Sequence, residues 1–221
     1  MGFTEETFAY LADLERNNSK DWFEANRTRY DAHWKTAGLD FVAELSERMA
    51  KLEPSLRAEA RLNGSLRRIN RDVRFSKDKS PYNARLHLVF WAGNHPNRSP
   101  GLHLVLQPDG VGYGAGQWGI DPARLGVLRQ RIIDEEEGET LQKALGAAAT
   151  VDCTMGAPDL ARVPKGFSVD NERSGFLRYK GFVARTKDTL ADRSVLLDAG
   201  AADWVMMVGA ALMPLIRWLS R

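Results

Sequence analysis

Cysteine is nearly absent from the 221-residue chain. Cys153 stands alone, which excludes an intrachain disulfide and fits a reducing, cytoplasmic setting. Given how readily cysteine is buried, it is expected to be a structural thiol rather than a nucleophile. Long apolar runs are also missing. The longest, Val205 to Ile216, is too short to span a bilayer and contains Pro214, so it reads as a buried terminal helix and no membrane partner is expected. Met1 to Leu14 carry Glu5, Glu6 and Asp13 and have neither the basic start nor the apolar stretch of a secretory signal.

Catalytic and metal templates are scarce too. His33, His87, His95 and His103 match no ligand spacing with each other, with Cys153 or with a carboxylate pair, so no metal is expected. A nucleophile elbow, a P-loop and kinase elements are absent, which leaves hydrolase and phosphotransferase readings without support. Gly114-Ala115-Gly116-Gln117-Trp118-Gly119 spells G-x-G-x-x-G, but its strand belongs to an antiparallel meander and the next helix cap comes only at Asp121. Dinucleotide binding is not predicted, and no cofactor is expected.

What is present is an ordinary globular composition, 43% hydrophobic and 27% charged, in a chain long enough to bury a sizeable core. No repeat or convincing linker divides it, so residues 1–221 are read as one α+β domain. Thr4 caps a first helix to about Glu15, with Phe3 and Phe8 as its hydrophobic staple. Asn17-Asn18-Ser19 then caps a second, carrying Trp22, Phe23, Tyr30 and Trp34 and continuing or kinking past Gly38 to Pro54. These aromatics are expected in the core rather than as a base-stacking platform.

The middle of the chain has a two-residue period. Leu86, Leu88 and Phe90 alternate with His87, Val89 and Trp91; Leu102, Leu104 and Leu106 alternate with His103, Val105 and Gln107. The turn Pro108-Asp109-Gly110 leads into a third strand through Val111, Tyr113 and Ala115, giving an antiparallel meander packed by N- and C-terminal helices. Asp121-Pro122 opens a helix, Thr140 to Ala148 form another, Arg178 to Arg185 suit a further strand, and Ser194 to Leu219 close the chain as a helix. The acidic run Asp134 to Glu137, with Glu139, reads as a solvated helix end or loop.

Two features could carry chemistry. Net charge is only +2, yet Arg57 to Arg85 holds nine Lys/Arg against three Asp/Glu. Within this segment Arg68, Arg71, Asp72, Arg74, Lys77 and Asp78 are candidate ligand-binding residues. Guanidinium forks suit a phosphate or two carboxylates, and the same interleaving of Arg and Asp would serve equally as a structural brace. The second feature is Gly110, Gly112, Gly114 and Gly116, which clear one face of a strand. With a Pro108-Asp109 turn, Gln107, a further candidate ligand-binding residue, faces Gly110 and His103 faces Gly114, so the bare face adjoins His103, Val105 and Gln107, with His87 nearby. A shallow groove with two imidazoles, His87 and His103 being the candidate catalytic groups, would result. A turn one residue longer or shorter moves the glycines to the opposite face, where they only admit a packed helix or Trp118, since strand glycines also mark close packing or a bulge.

The run Arg68-Ile69-Asn70-Arg71-Asp72-Val73-Arg74-Phe75-Ser76-Lys77-Asp78-Lys79-Ser80-Pro81-Tyr82 resembles the hallmark of the domain-of-unknown-function family 2461. Asn17-Asn18 with Trp22-Phe23 and Asn26, Pro100-Gly101 before Leu102-His103-Leu104, and Pro164-Lys165-Gly166-Phe167 with Lys180 and Phe182 extend the resemblance over nearly the whole chain. The resemblance implies a soluble bacterial-type protein and no particular reaction. It also implies that relatives often carry a carboxylate where this chain has Gln107. Three functional classes follow: a small-molecule binding protein or enzyme, holding an anion with the basic segment and exchanging a proton at His103 or His87 near neutral pH; a nucleic-acid module using that segment on phosphates; or a non-catalytic scaffold braced by it.

Overall fold

The chain enters its first helix through Thr4, whose extended backbone offers its N–H to the Thr7 hydroxyl. Glu5 and Glu6 then sit at the positive end of the helix dipole of α1 (Glu5–Arg16). Ser19 caps α2 (Lys20–Ala25) by accepting the Trp22 N–H at 3.3 Å. The helix expected to run on from here is interrupted at Asn26. It resumes as α3 (Arg27–Arg29), widens into a π-helical segment (Tyr30–Thr36) and narrows again into α4 (Ala37–Leu52). The wide turn aims Tyr30 and Trp34 at the same interior, their rings stacked at 5.1 Å, in a chain of aromatics that continues through Phe23 to Tyr82. This set belongs to the core, as the sequence predicts.

This computed structural model describes residues 2–168, 170–187 and 190–221. It is an α+β fold around an antiparallel sheet in the order β1-β2-β3-β4-β6-β5. The strands are β1 (Leu56–Arg57), β2 (Leu86–Ala92), β3 (Gly101–Gln107), β4 (Gly110–Gln117), β5 (Thr154–Met155) and β6 (Phe182–Arg185). The expected two-residue turn is present, because Gln107 pairs with Gly110 and His103 with Gly114. Leu86, Leu88 and Phe90, with Leu102, Leu104 and Leu106 opposite, are therefore buried on one face, against which α1, α4 and the C-terminal helix pack.

Asp121 caps α5 (Pro122–Ile133), and Asp134 caps α6 (Glu135–Ala149) by accepting the Glu137 N–H. The acidic run forms the first turn of α6, where the dipole favours it, so this helix starts five residues before the expected Thr140. The expected strand from Arg178 is shorter, since Glu172–Arg178 close into a 3-10 helix and only Phe182–Arg185 pair with β4. The last helix, α7 (Ala201–Ser220), is long and apolar enough by composition to cross a membrane. Here it is a core element whose Leu212, Met213, Leu215 and Ile216 are buried and which contacts β3, β4, α4 and α6. Cys153 is buried as expected, and burial pushes its thiol up to about 12.

Candidate functional site

The opposite face of the sheet is where the glycines lie. His87, Val89, His103, Val105, Gln107, Gly112 and Gly114 share it through the β2–β3–β4 register. Two cavities open on it, of about 710 and 320 Å³. Arg85, Val105, Gln107, Gly112, Arg185 and Lys187 are among the residues around the larger; Arg67, Val89, Pro96, Asn97, Ser99 and Gln117 are among those around the smaller. His87, His103 and Trp118 line both, so the two cavities form one groove.

The far wall depends on the glycines. A Cβ at Gly114 would lie 2.5 Å from the Ala184 carbonyl oxygen and 2.6 Å from the Arg185 Cβ. At Gly116, with φ +143°, it would meet the Val183 Cα at 2.6 Å. Gly114 and Gly116 thus let the β6 backbone approach β4 closely, and Arg185, Thr186, Lys187 and Leu190 stand around the larger cavity on that side. Gly112 is different. A Cβ there would meet Leu190, Gln107 and Thr186 only at 3.4–3.5 Å, so this residue keeps the floor low without being sterically required.

At the centre of the groove the Nε2 of His87 lies 2.9 Å from the Nδ1 of His103, so one ring donates its N–H to the other. Burial holds both well below the ordinary histidine range. The facing ring, Arg67 and Arg85 depress His87 further, and Arg67 does the same to His103. In the groove two neutral rings therefore share a hydrogen bond, because burial, and after it the neighbouring cations, oppose charging either. The pair remains able to donate a hydrogen bond to a ligand, and to take up a proton when negative charge arrives beside it.

Arg67 flanks this pair. Its backbone N–H pairs with the His87 carbonyl at 2.9 Å and its guanidinium reaches the Asn97 side chain. Burial first, and neighbouring Arg68 second, push its pKa down, which is the condition of a cation short of negative charge. Among the described residues, Arg67, Arg85, Arg185 and Lys187 make no ion pair with a carboxylate, and no Asp or Glu lines either cavity.

Of the residues singled out by sequence, His87, His103 and Gln107 meet in the groove, whereas Arg68, Arg71, Asp72, Arg74, Lys77 and Asp78 line neither cavity. Arg71, Asp72, Arg74, Lys77 and Asp78 belong to a loop closed by the Asn70–Tyr82 bridge and by Arg71 N–H to the Pro81 carbonyl, and Arg68 lies just before it. Arg71 ties Asp78 at 2.5 Å and the Ser80 carbonyl at 3.0 Å; Arg74 grips both oxygens of Asp72. Hydrogen bonds from Ser80, then Arg71, bring Asp78 down to about 2. Arg68 and Lys77 are exposed, and Phe75 at the loop tip is 95% exposed. Asn18 fastens the loop to the N-terminal helices: its amide donates to the Tyr82 carbonyl at 2.9 Å and accepts the Tyr82 N–H at 3.0 Å.

The groove residues that sequence reasoning did not single out are Arg67, Arg85, Trp118, Arg185 and Lys187. Arg85 could have been found by extending the His87–Val89 alternation two residues back, and Trp118 by its place among glycines at a strand end. Arg185 and Lys187 gave no local signal, since only the pairing of β6 with β4 brings them to the site. No curated protein and no solved structure matches the chain. A family model described as a conserved hypothetical protein (DUF2461) matches residues 6–218, and the chain belongs to that family.

Proposed function

We propose that this protein binds a small molecule bearing a phosphate or carboxylate in the groove over β2, β3 and β4. The observation that carries the reading is the charge of the lining: Arg67, Arg85, Arg185 and Lys187 surround it with no carboxylate side chain among the described lining residues. Such a site attracts anions, and its forked guanidinium groups suit bidentate oxygen contacts. The His87–His103 pair supplies a neutral N–H donor beside them, and an anion at that position favours protonation of the pair, which couples binding to proton uptake. In this reading the Asn70 to Tyr82 loop is a brace, because Arg71 is satisfied by Asp78 and the Ser80 carbonyl.

Thermal unfolding with inorganic phosphate and with citrate tests the reading. Stabilisation that rises with ligand concentration, persists in Arg68→Ala and falls at least about tenfold in apparent affinity in Arg185→Gln supports the groove. No shift with any small anion, or a shift lost in Arg68→Ala and kept in Arg185→Gln, overturns it. A second reading draws on the exposed Phe75 with Arg74, Lys77 and Lys79 around it, which suits a nucleic acid. It predicts binding of short single-stranded oligonucleotides that weakens steeply with salt and is lost in Phe75→Ala.

A further inference from the structure

The groove holds one surface that anion binding does not use. Trp118 is 60% exposed, one of the few large hydrophobic side chains left in water. It follows the end of β4 and precedes Gly119, whose φ of +61° turns the chain away immediately behind it. The edge of its indole ring rests against Gly181, where a Cβ would come 3.2 Å from the ring. The glycine thus gives the ring a firm backing of main chain. Trp118 lines both cavities, at the place where they meet.

We infer that the ligand is an anion joined to a planar heteroaromatic ring, with the anionic group among Arg85, Arg185 and Lys187 in the larger cavity and the ring stacked on Trp118 towards the smaller one. The inference rests on the anion-binding reading above and adds the class of molecule. Three features of the smaller cavity fit a heteroaromatic edge. Asn97, Ser99 and Gln117 provide neutral polar groups, and Gln117 is already oriented by donating to the Arg98 carbonyl at 2.8 Å. Asn97 uses its oxygen on Arg67, which leaves its amide N–H groups for a ring nitrogen or carbonyl. A hydroxyl-rich sugar ring fits less well, because hydroxyl protons need acceptors and no carboxylate side chain is found among the described lining residues. An indole face stacks on any aromatic ring, so the surface selects a ring without yet selecting which one.

Titration calorimetry with three probes separates the contributions: inorganic phosphate, ribose 5-phosphate and adenosine 5′-monophosphate. The expected result is that the nucleotide binds about tenfold or more tighter than either other anion. Trp118→Ala should bring the ratio of nucleotide to phosphate affinity, both measured on that variant, down to about one, and Trp118→Phe should restore part of it. Phosphate binding with no gain from the base, or a gain that survives Trp118→Ala, overturns the inference and leaves the anion site standing. Failure of all three probes to bind removes both.

Discussion

His87 and His103 meet diagonally across two strands. In the ladder His87 faces Val105 and His103 faces Val89, yet the two rings approach to 2.9 Å between Nε2 and Nδ1. Diagonal neighbours on one sheet face lie within reach of long or aromatic side chains, and the right-handed twist of the sheet brings one such diagonal closer than the other. The contact thus arises from alternation and register and requires no special loop.

Both rings are neutral in the fold because burial and the cations Arg67 and Arg85 oppose their charging. With folded pKa values below the unfolded value of about 6.5, the unfolded chain binds more protons as pH falls through that value, so stability is retained above it and lost below it. Each ring contributes up to about 1.4 kcal/mol per pH unit in that range. Urea unfolding at about pH 7.5 and about pH 5 should show the drop, and His103→Gln should flatten it. Equal slopes in the two proteins would show that the pair is not its source. Saturating phosphate should oppose the loss by favouring the charged pair.

Alanine at Gly114 and at Gly112 should have opposite consequences. At Gly114 the new methyl group collides with the β6 backbone, so a loss of about 2 kcal/mol or more is expected. At Gly112 the methyl group finds ordinary contacts, so stability should stay within about 1 kcal/mol while the floor rises and anion affinity falls. Chemical denaturation and phosphate titration of both variants check this.

Arg71 and Arg74 should separate a brace from a surface pair. Arg71, with its side chain 24% exposed, holds both Asp78 and the Ser80 carbonyl, and Arg71→Ala is expected to lower stability by about 1–2 kcal/mol. Arg74, 75% exposed and paired only with Asp72, should leave the melting temperature essentially where it is when replaced by alanine. Equal effects in thermal unfolding would show that the loop does not stiffen the fold through Arg71.

Asn18 treats Tyr82 as a strand partner would, giving and receiving one hydrogen bond. Asn18→Leu removes both and strands a partly buried N–H and carbonyl, for an expected loss of about 2 kcal/mol. Asn18→Asp keeps the acceptor for the Tyr82 N–H but sets a carboxylate against its carbonyl, and should be no better. A loss below about 0.5 kcal/mol in Asn18→Leu would show that the loop is held elsewhere.

The meander was legible in the sequence through its two-residue period and its Pro-Asp-Gly turn, whereas the face taken by the glycines hung on the length of that turn, which the pairing of Gln107 with Gly110 decides. The site was legible only on that meander. His87, His103 and Gln107 sit in its alternation, but Arg185 and Lys187 reach the groove through a four-residue strand that pairs across about seventy residues, a contact no local pattern announces. Arg68 to Asp78 drew attention through density of charge, and much of that density is spent internally on Arg71–Asp78 and Arg74–Asp72. The break at Asn26 and the π turn were hidden because apolar spacing there suits a continuous helix; tertiary packing of Tyr30 and Trp34 decides it.

The collision of any side chain at Gly114 or Gly116 with β6 divides the groove into a part that substitution can rewrite and a part that it cannot. Beneath a ligand at those two positions lies peptide backbone, identical in chemistry whatever the neighbouring codons say. A lineage of such proteins that changed its ligand would have to do so from the rim, by exchanging residues such as Arg85, Trp118, Arg185 or Lys187, while the floor stayed the same.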